Sequence, residues 1–167
     1  MSGSKASKTI ENISDTARWV AVYRAAESAR PDALFNDRFA ALLAGPHGKD
    51  IVESIPGGTL MGWAVVVRTR VIDEVILRAV AEQGIDTVLN LAAGLDTRPY
   101  RLALPANLHW FEVDLPEISA YKEHKLAAEK PVCRLERITL DLSDVEKRRA
   151  LFERINKQGG KVLVLTE

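Results

Sequence analysis

Two hydrophobic rhythms divide the chain. Up to about residue 84 the apolar positions recur at helical spacing. Ala17, Val20 and Ala21, with the Tyr23/Arg24 pair, make one stripe of a helix over about 15–29, capped by Ser14 and ended by Pro31. Asn36 can cap a short helix from Asp37 to Ala44, which Gly45-Pro46 stops. Residues 45–58 read as loop. Thr59 then caps a long helix to about Gln83, with Gly84 just past its end. Its predicted apolar face is Val65, Ile72, Val75, Ile76, Ala79 and Val80. Arg68, Arg70, Asp73, Glu74 and Arg78 fall mostly elsewhere.

From residue 85 short apolar runs alternate with amphipathic stretches. The runs are 86–91 (DTVLNL), 108–113 (LHWFEV), 133–139 (CRLERIT) and 161–166 (KVLVLT). Helices are expected near 98–103, at 117–129 after Pro116, and at 144–157. The last has a capping box, Ser143 with Glu146, and is closed by Gly159-Gly160. Strands alternating with helices predict an α/β fold of βαβ units with a parallel sheet. The expected organisation is a disordered start over 1–13, a helical segment over 14–84, and an α/β unit over 85–167. The chain stops at Leu165-Thr166-Glu167 as its fourth strand finishes, which reads as part of a longer protein. That strand leaves an open edge through which copies of the chain could associate.

Composition narrows the class. The 167 residues carry 23 basic and 23 acidic side chains, a balance that argues against a nucleic-acid binder. At 47% hydrophobic and 28% charged, the chain reads as globular rather than disordered. No apolar run approaches the roughly 20 residues that span a bilayer, and the polar start MSGSKASKTI lacks a signal-peptide core. Cys133 is the single cysteine. It allows no internal disulfide and no cysteine-based zinc site. The expected location is the cytoplasm, with no membrane and no nucleic-acid partner.

Candidate chemistry gathers at the strand ends. In 87–101 (TVLNLAAGLDTRPYR) a buried strand runs into Ala92-Ala93-Gly94. Such a turn lets a nucleotide-like ligand approach the backbone; it is equally compatible with an ordinary strand-to-helix turn. Asp114 lies 20 residues after Gly94, the spacing at which an acid takes ribose hydroxyls. Asp141 could accept from an adenine amino group while Leu142 packs on the ring. Taken alone, Asp141 more simply helps cap the next helix. Asp96, Asp114, Asp141 and Glu167 together make an acidic rim, suited to a ribose, an adenine or a cationic cofactor. Arg68 or Arg70 could meet a ligand carboxylate, or simply lie on a solvated face with Asp73 and Glu74 as partners. His47, His109 and His124 show no metal spacing. No Walker loop, zinc pattern or serine–histidine–acid triad is present.

The strings NLAAGLDTRPYRL at 90–102, FEVDLP at 111–116, DL at 141–142 and VLTE at 164–167 resemble the leucine carboxyl methyltransferase-like family. Within it they are most similar to the bacterial S-adenosylmethionine-dependent O-methyltransferases. TARWVAVYRAAES at 16–28, PDALFNDRFA at 31–40 and VRTRVIDEVI at 67–76 fit as well. The resemblance implies a Rossmann-like methyltransferase fold, strand order 3-2-1-4 here, with an N-terminal helical cap. It implies S-adenosyl-L-methionine as cofactor. Its glycine turn falls on Ala92–Gly94, with Ala92 in place of the commoner glycine. The ribose acid falls on Asp114, the adenine pair on Asp141 and Leu142, the cofactor-carboxylate arginine on Arg70 or Arg68, and the fourth-strand glutamate on Glu167. With Asp96, these are the candidate cofactor-binding residues; no catalytic residue can be named and no metal is expected. Family members run to about twice this length, so the C-terminal strands and much of the acceptor pocket are not encoded.

The expected function is methyl transfer from S-adenosylmethionine to an oxygen of a small molecule, a hydroxyl or a carboxylate. A catalytically silent module that binds cofactor or self-associates through its fourth strand is the alternative. A nicotinamide-dependent dehydrogenase shares the strand–turn–acid spacing but lacks GxGxxG.

Overall fold

A computed structural model describes residues 13–54, 58–158 and 160–167; of residues 13, 14 and 58–61 only the backbone is described. Residues 1–12 of the expected disordered start lie outside the described residues, whereas Ser14 and Thr59, expected as caps, have helical backbone one residue inside the starts of the first and third helices. The chain forms two compact units, one ending at Arg70 and one starting at Val71.

The first unit is helical. It holds α1 (Ile13–Ser28), α2 (Ala40–Ser54) and the start of α3 (Gly58–Gln83). Ala21, Tyr23, Phe35, Phe39, Leu43 and Ile51 are buried in it. Between α1 and α2 a buried ion pair joins Arg24 Nε to Asp37 at 2.9 Å. Asp37 also accepts from the amide of Phe39, and its carbonyl from that of Ala40. Asp37, not Asn36, therefore organises the start of α2. Gly45-Pro46 stops the first helical stretch, as expected. Gly45 takes φ 61° and ψ −176°, the axis kinks, and the helix resumes through Pro46 to Ser54. A proline is tolerated there because it sits in a first turn, where its missing N–H costs nothing. Most of the expected loop over 45–58 is thus helical.

The second unit is a parallel α/β sandwich. Its strands are β1 (Thr87–Leu91), β2 (His109–Asp114), β3 (Arg134–Thr139) and β4 (Val162–Thr166). Their spatial order is β3-β2-β1-β4, all pairs parallel, as a Rossmann-like methyltransferase fold requires. Between them lie α4 (Arg98–Arg101), α5 (Pro116–Lys125) and α6 (Val145–Lys157). Successive residues of β1 and β2 face opposite sides. Val88 and Trp110 pack with Ile76, Leu108 and Cys133, while Leu89 and Phe111 pack with Leu151 and Ile155 of α6. Val75, expected in the buried stripe of α3, is 51% exposed. It forms an outer ridge with Val71, four residues away. The cap of α6 is Asp144, whose side chain accepts from Lys147 N, rather than Ser143. Gly84 ends α3 at φ 67°.

Candidate functional site

The carboxyl end of β1 turns on two left-handed residues. Ala92 has φ 53° and Gly94 φ 48°. Ala92 is the sole non-glycine residue with positive φ among the described residues. A Cβ in this region costs roughly 1 kcal/mol or more relative to glycine, so the fold holds Ala92 there against its preference. The turn is anchored by Ala93 N to Val113 O at 3.2 Å and Asp96 N to Ala93 O at 3.0 Å.

Asp114 closes the turn from β2. Gly94 N donates to Asp114 Oδ2 at 2.5 Å, and Leu115 N donates to Oδ1 at 2.7 Å. The spacing of 20 residues read from the sequence is thus a direct contact between the two strand ends. An ionised carboxylate offers about four lone-pair sites, so two remain for a vicinal diol. The residue is nearly buried, and both of these amides fix its orientation.

The acidic rim is not bare. Arg98, 2% exposed, reaches three carboxylates. Its Nε meets Asp73 Oδ1 at 2.7 Å, and its Nη1 meets Asp96 Oδ2 at 2.8 Å and Glu167 Oε2 at 2.9 Å. Arg101 grips Asp73 from the other side, at 2.5 and 2.8 Å. Asp96 also accepts from Asn90 Nδ2 and Arg98 N. Burial alone would raise the Asp96 pKa, but the charges of Arg98 and Lys122 hold it well below the usual carboxylate range. Burial likewise opposes the charge on Arg98, and its three carboxylates more than offset that. The reading of Asp73 as a surface partner for Arg68 or Arg70 is therefore corrected: it is buried against Arg98 and Arg101. A lone carboxylate cannot stay ionised in a dry site without a cation, and the fold brings Arg98 and Arg101 to Asp73 from 25 and 28 residues away.

A second network lies beneath. Glu112 is buried and accepts from Lys122 Nζ at 2.6 Å and Arg137 Nε at 3.1 Å. Arg137 also donates to the Tyr100 hydroxyl at 2.5 Å. Burial raises the Tyr100 pKa against the pull of Arg137. Burial pushes the Cys133 thiol up to about 11, which leaves it inert as a nucleophile.

Asp141 and Leu142 follow β3 on the same carboxyl edge. Asp141 is exposed and accepts from Ser143 N at 2.9 Å; Leu142 is half-buried. The Ser143 hydrogen bond holds the Asp141 carboxyl below its usual range. Arg68 and Arg70 belong to the helical unit and both are exposed. Arg70 Nη1 donates to Leu34 O at 3.1 Å, within that unit. Ala92, Gly94, Asp96, Asp114 and Glu167 are brought together in the α/β unit, with Asp141 and Leu142 along the same edge. Among the described residues no cluster of three or more His, Cys, Asp or Glu side chains could hold a metal. No described helix is long and apolar enough to cross a membrane.

A profile of the leucine carboxyl methyltransferase family matches residues 17–165. A Parafrankia protein named "Putative S-adenosyl-L-methionine-dependent methyltransferase" is 42% identical over 143 residues, which are 79% of this chain and 46% of that one. A protein of the same name from Mycobacteroides abscessus is 38% identical, over 81% of this chain and 47% of its own. Another from Saccharopolyspora erythraea is 36% identical, over 86% and 53%. The chain spans about half the length of the curated relatives it matches.

Proposed function

This chain belongs to the leucine carboxyl methyltransferase family, and we propose that it carries the cofactor half of an S-adenosylmethionine-dependent methyltransferase. The observation that carries the proposal is the Gly94 N to Asp114 contact beneath the left-handed Ala92–Gly94 turn. It supports a ribose held on the two free lone-pair sites of Asp114. Asp141 would accept from an adenine amino group, and Leu142 would pack on the ring. Arg68 or Arg70 would take the cofactor carboxylate. Asp96 and Glu167 would line the site beside the turn. The names of the relatives point to the same cofactor.

The bound cofactor supplies an activated methyl on a cationic sulfur. The acceptor we propose is a small-molecule hydroxyl or carboxylate, methylated on oxygen. The chain's residues act by position: the turn and Asp114 fix one end of the ligand, and the buried ion pairs keep the strand ends rigid. A carboxylate acceptor needs no general base.

Isothermal titration with S-adenosylhomocysteine tests the proposal, with the mass of the chain in solution recorded alongside. Micromolar binding is expected. A folded chain that binds neither S-adenosylhomocysteine nor S-adenosylmethionine sinks it. One observation favours a second reading, a silent module that self-associates. Among the described residues β4 pairs with β1 alone, and its Val164 is 54% exposed. A mass that doubles with concentration, together with binding but no methyl transfer to any acceptor, would favour that reading.

A further inference from the structure

Arg98 sits where the strand-end carboxylates meet. Its three partners come from separate elements: Asp73 from α3, Asp96 from the loop after β1, and Glu167 from the residue after β4. The sheet register explains the convergence. Leu91 lies level with Thr166 on one side and Val113 on the other. The next residues, Glu167, Ala92 and Asp114, are therefore neighbours along the carboxyl edge. One guanidinium nitrogen, Nη1, serves both Asp96 and Glu167.

We propose that Arg98 is a positioning residue of the cofactor site: it aims Asp96 and Glu167 and sets the charge that the Ala92–Gly94 turn presents to its ligand. The assignment rests on the cofactor reading above. Without the guanidinium, Asp96 and Glu167 are two like charges on one side of the turn, and they repel. A planar fork fixes the direction of each acceptor, whereas a lysine ammonium supplies charge without direction. The charge has a readout that packing lacks. S-adenosylmethionine carries a cationic sulfur and S-adenosylhomocysteine a neutral one, and they differ otherwise by a methyl group. A change of one charge beside the turn alters the ratio of their affinities. A loosened fold weakens both alike.

The test is titration of the 167-residue chain and three variants with both ligands at fixed ionic strength. Arg98→Met is expected to weaken both, S-adenosylhomocysteine more, moving the affinity ratio towards the cationic ligand by about threefold to tenfold. Arg98→Lys should keep the original ratio at a lower melting temperature. Glu167→Gln should move the ratio the other way. An unchanged ratio in Arg98→Met or in Glu167→Gln overturns the assignment and leaves Arg98 a purely structural residue. If Arg98→Met does not fold, Glu167→Gln decides alone. An unmodified chain that binds neither ligand overturns the cofactor reading first, before any variant is made.

Discussion

The ends of β1, β2 and β4 differ from the end of β3, though all four lie on one edge of the same sheet. At the first three the acidic side chains accept hydrogen bonds from other elements: Asp114 from Gly94, Asp96 from Asn90 and Arg98, Glu167 from Arg98. At the end of β3, Asp141 is exposed and accepts from Ser143, two residues on. One region is assembled by the fold and the other by its own turn. The difference separates two tasks. Cross-linked carboxylates such as Asp96 and Asp114, held out of most of the solvent, fix geometry at a desolvation cost that their partners offset. Glu167, though exposed, is tied to the same guanidinium as Asp96. An exposed carboxylate costs the fold little and is free to serve recognition. Substitutions in the first region should therefore reduce stability and binding together, and those in the second should reduce binding alone.

The largest effect belongs to Asp73, which both Arg98 and Arg101 share. Asp73→Ala removes the carboxylate that Arg98 and Arg101 share, leaving Arg98 to Asp96 and Glu167, and should lower unfolding free energy by about 3 kcal/mol. Urea denaturation measures it. A loss under about 1 kcal/mol would show the network to be solvated in solution and would erase the contrast between the two regions.

Asp114 comes next. Asp114→Ala removes the acceptor of Gly94 N and, under the cofactor reading, that of the ribose hydroxyls. Affinity for S-adenosylhomocysteine should fall by about 1–3 kcal/mol, the cost of leaving polar partners unmatched. Titration with equal affinity in the variant and the unmodified chain would remove Asp114 from the site.

How far the sequence foretold these regions follows from the range of each interaction. β1 and β2 were legible as short runs between turn signals buried on both faces, β4 as an equally apolar run, and β3, a half-exposed edge strand, from its place in the strand–helix alternation. The place of Asp114 at the end of the second strand was legible from its spacing to Gly94, whereas its hydrogen bond from Gly94 N was not read from the sequence. Arg98 was not singled out. Two of its three partners stand 25 and 69 residues away, beyond the local pairing that assigned Asp73 to the arginines of its own helix. The signal was indirect: an acidic rim at buried strand ends demands a cation, and TRPYR supplies two. The cap of α6 slipped by one residue because Ser143 and Asp144 are both good caps, and Asp141 already occupies the amide of Ser143. The resumption of the helix after Gly45 was hidden because Gly-Pro serves as well to restart a helix as to end one.

Ala92 tests whether the first region stores strain. Its φ of 53° suits glycine better than alanine. Ala92→Gly should raise stability by about 0.5–1 kcal/mol, since relief of the left-handed Cβ exceeds the added freedom of the unfolded chain. A thermal melt reads the sign, and a destabilised variant would mean that the alanine methyl packs usefully.

The smallest effect on the fold, and the cleanest test of the contrast, is at Asp141. Its carboxylate makes a local bond, so Asp141→Ala should leave the melting temperature unchanged. Affinity should still drop, by about threefold to tenfold if the side chain meets an adenine amino group. The Ser143 hydrogen bond lowers the Asp141 pKa below its ordinary 3.8. The group therefore stays ionised as pH falls from about 8 to about 5, and the deficit in the variant should be the same at both ends of that range. A deficit that vanished near the lower end would mean that another, titrating group carries the contact. A melting temperature that fell with the affinity would place Asp141 among the structural carboxylates after all, and the two regions of the edge would be built alike.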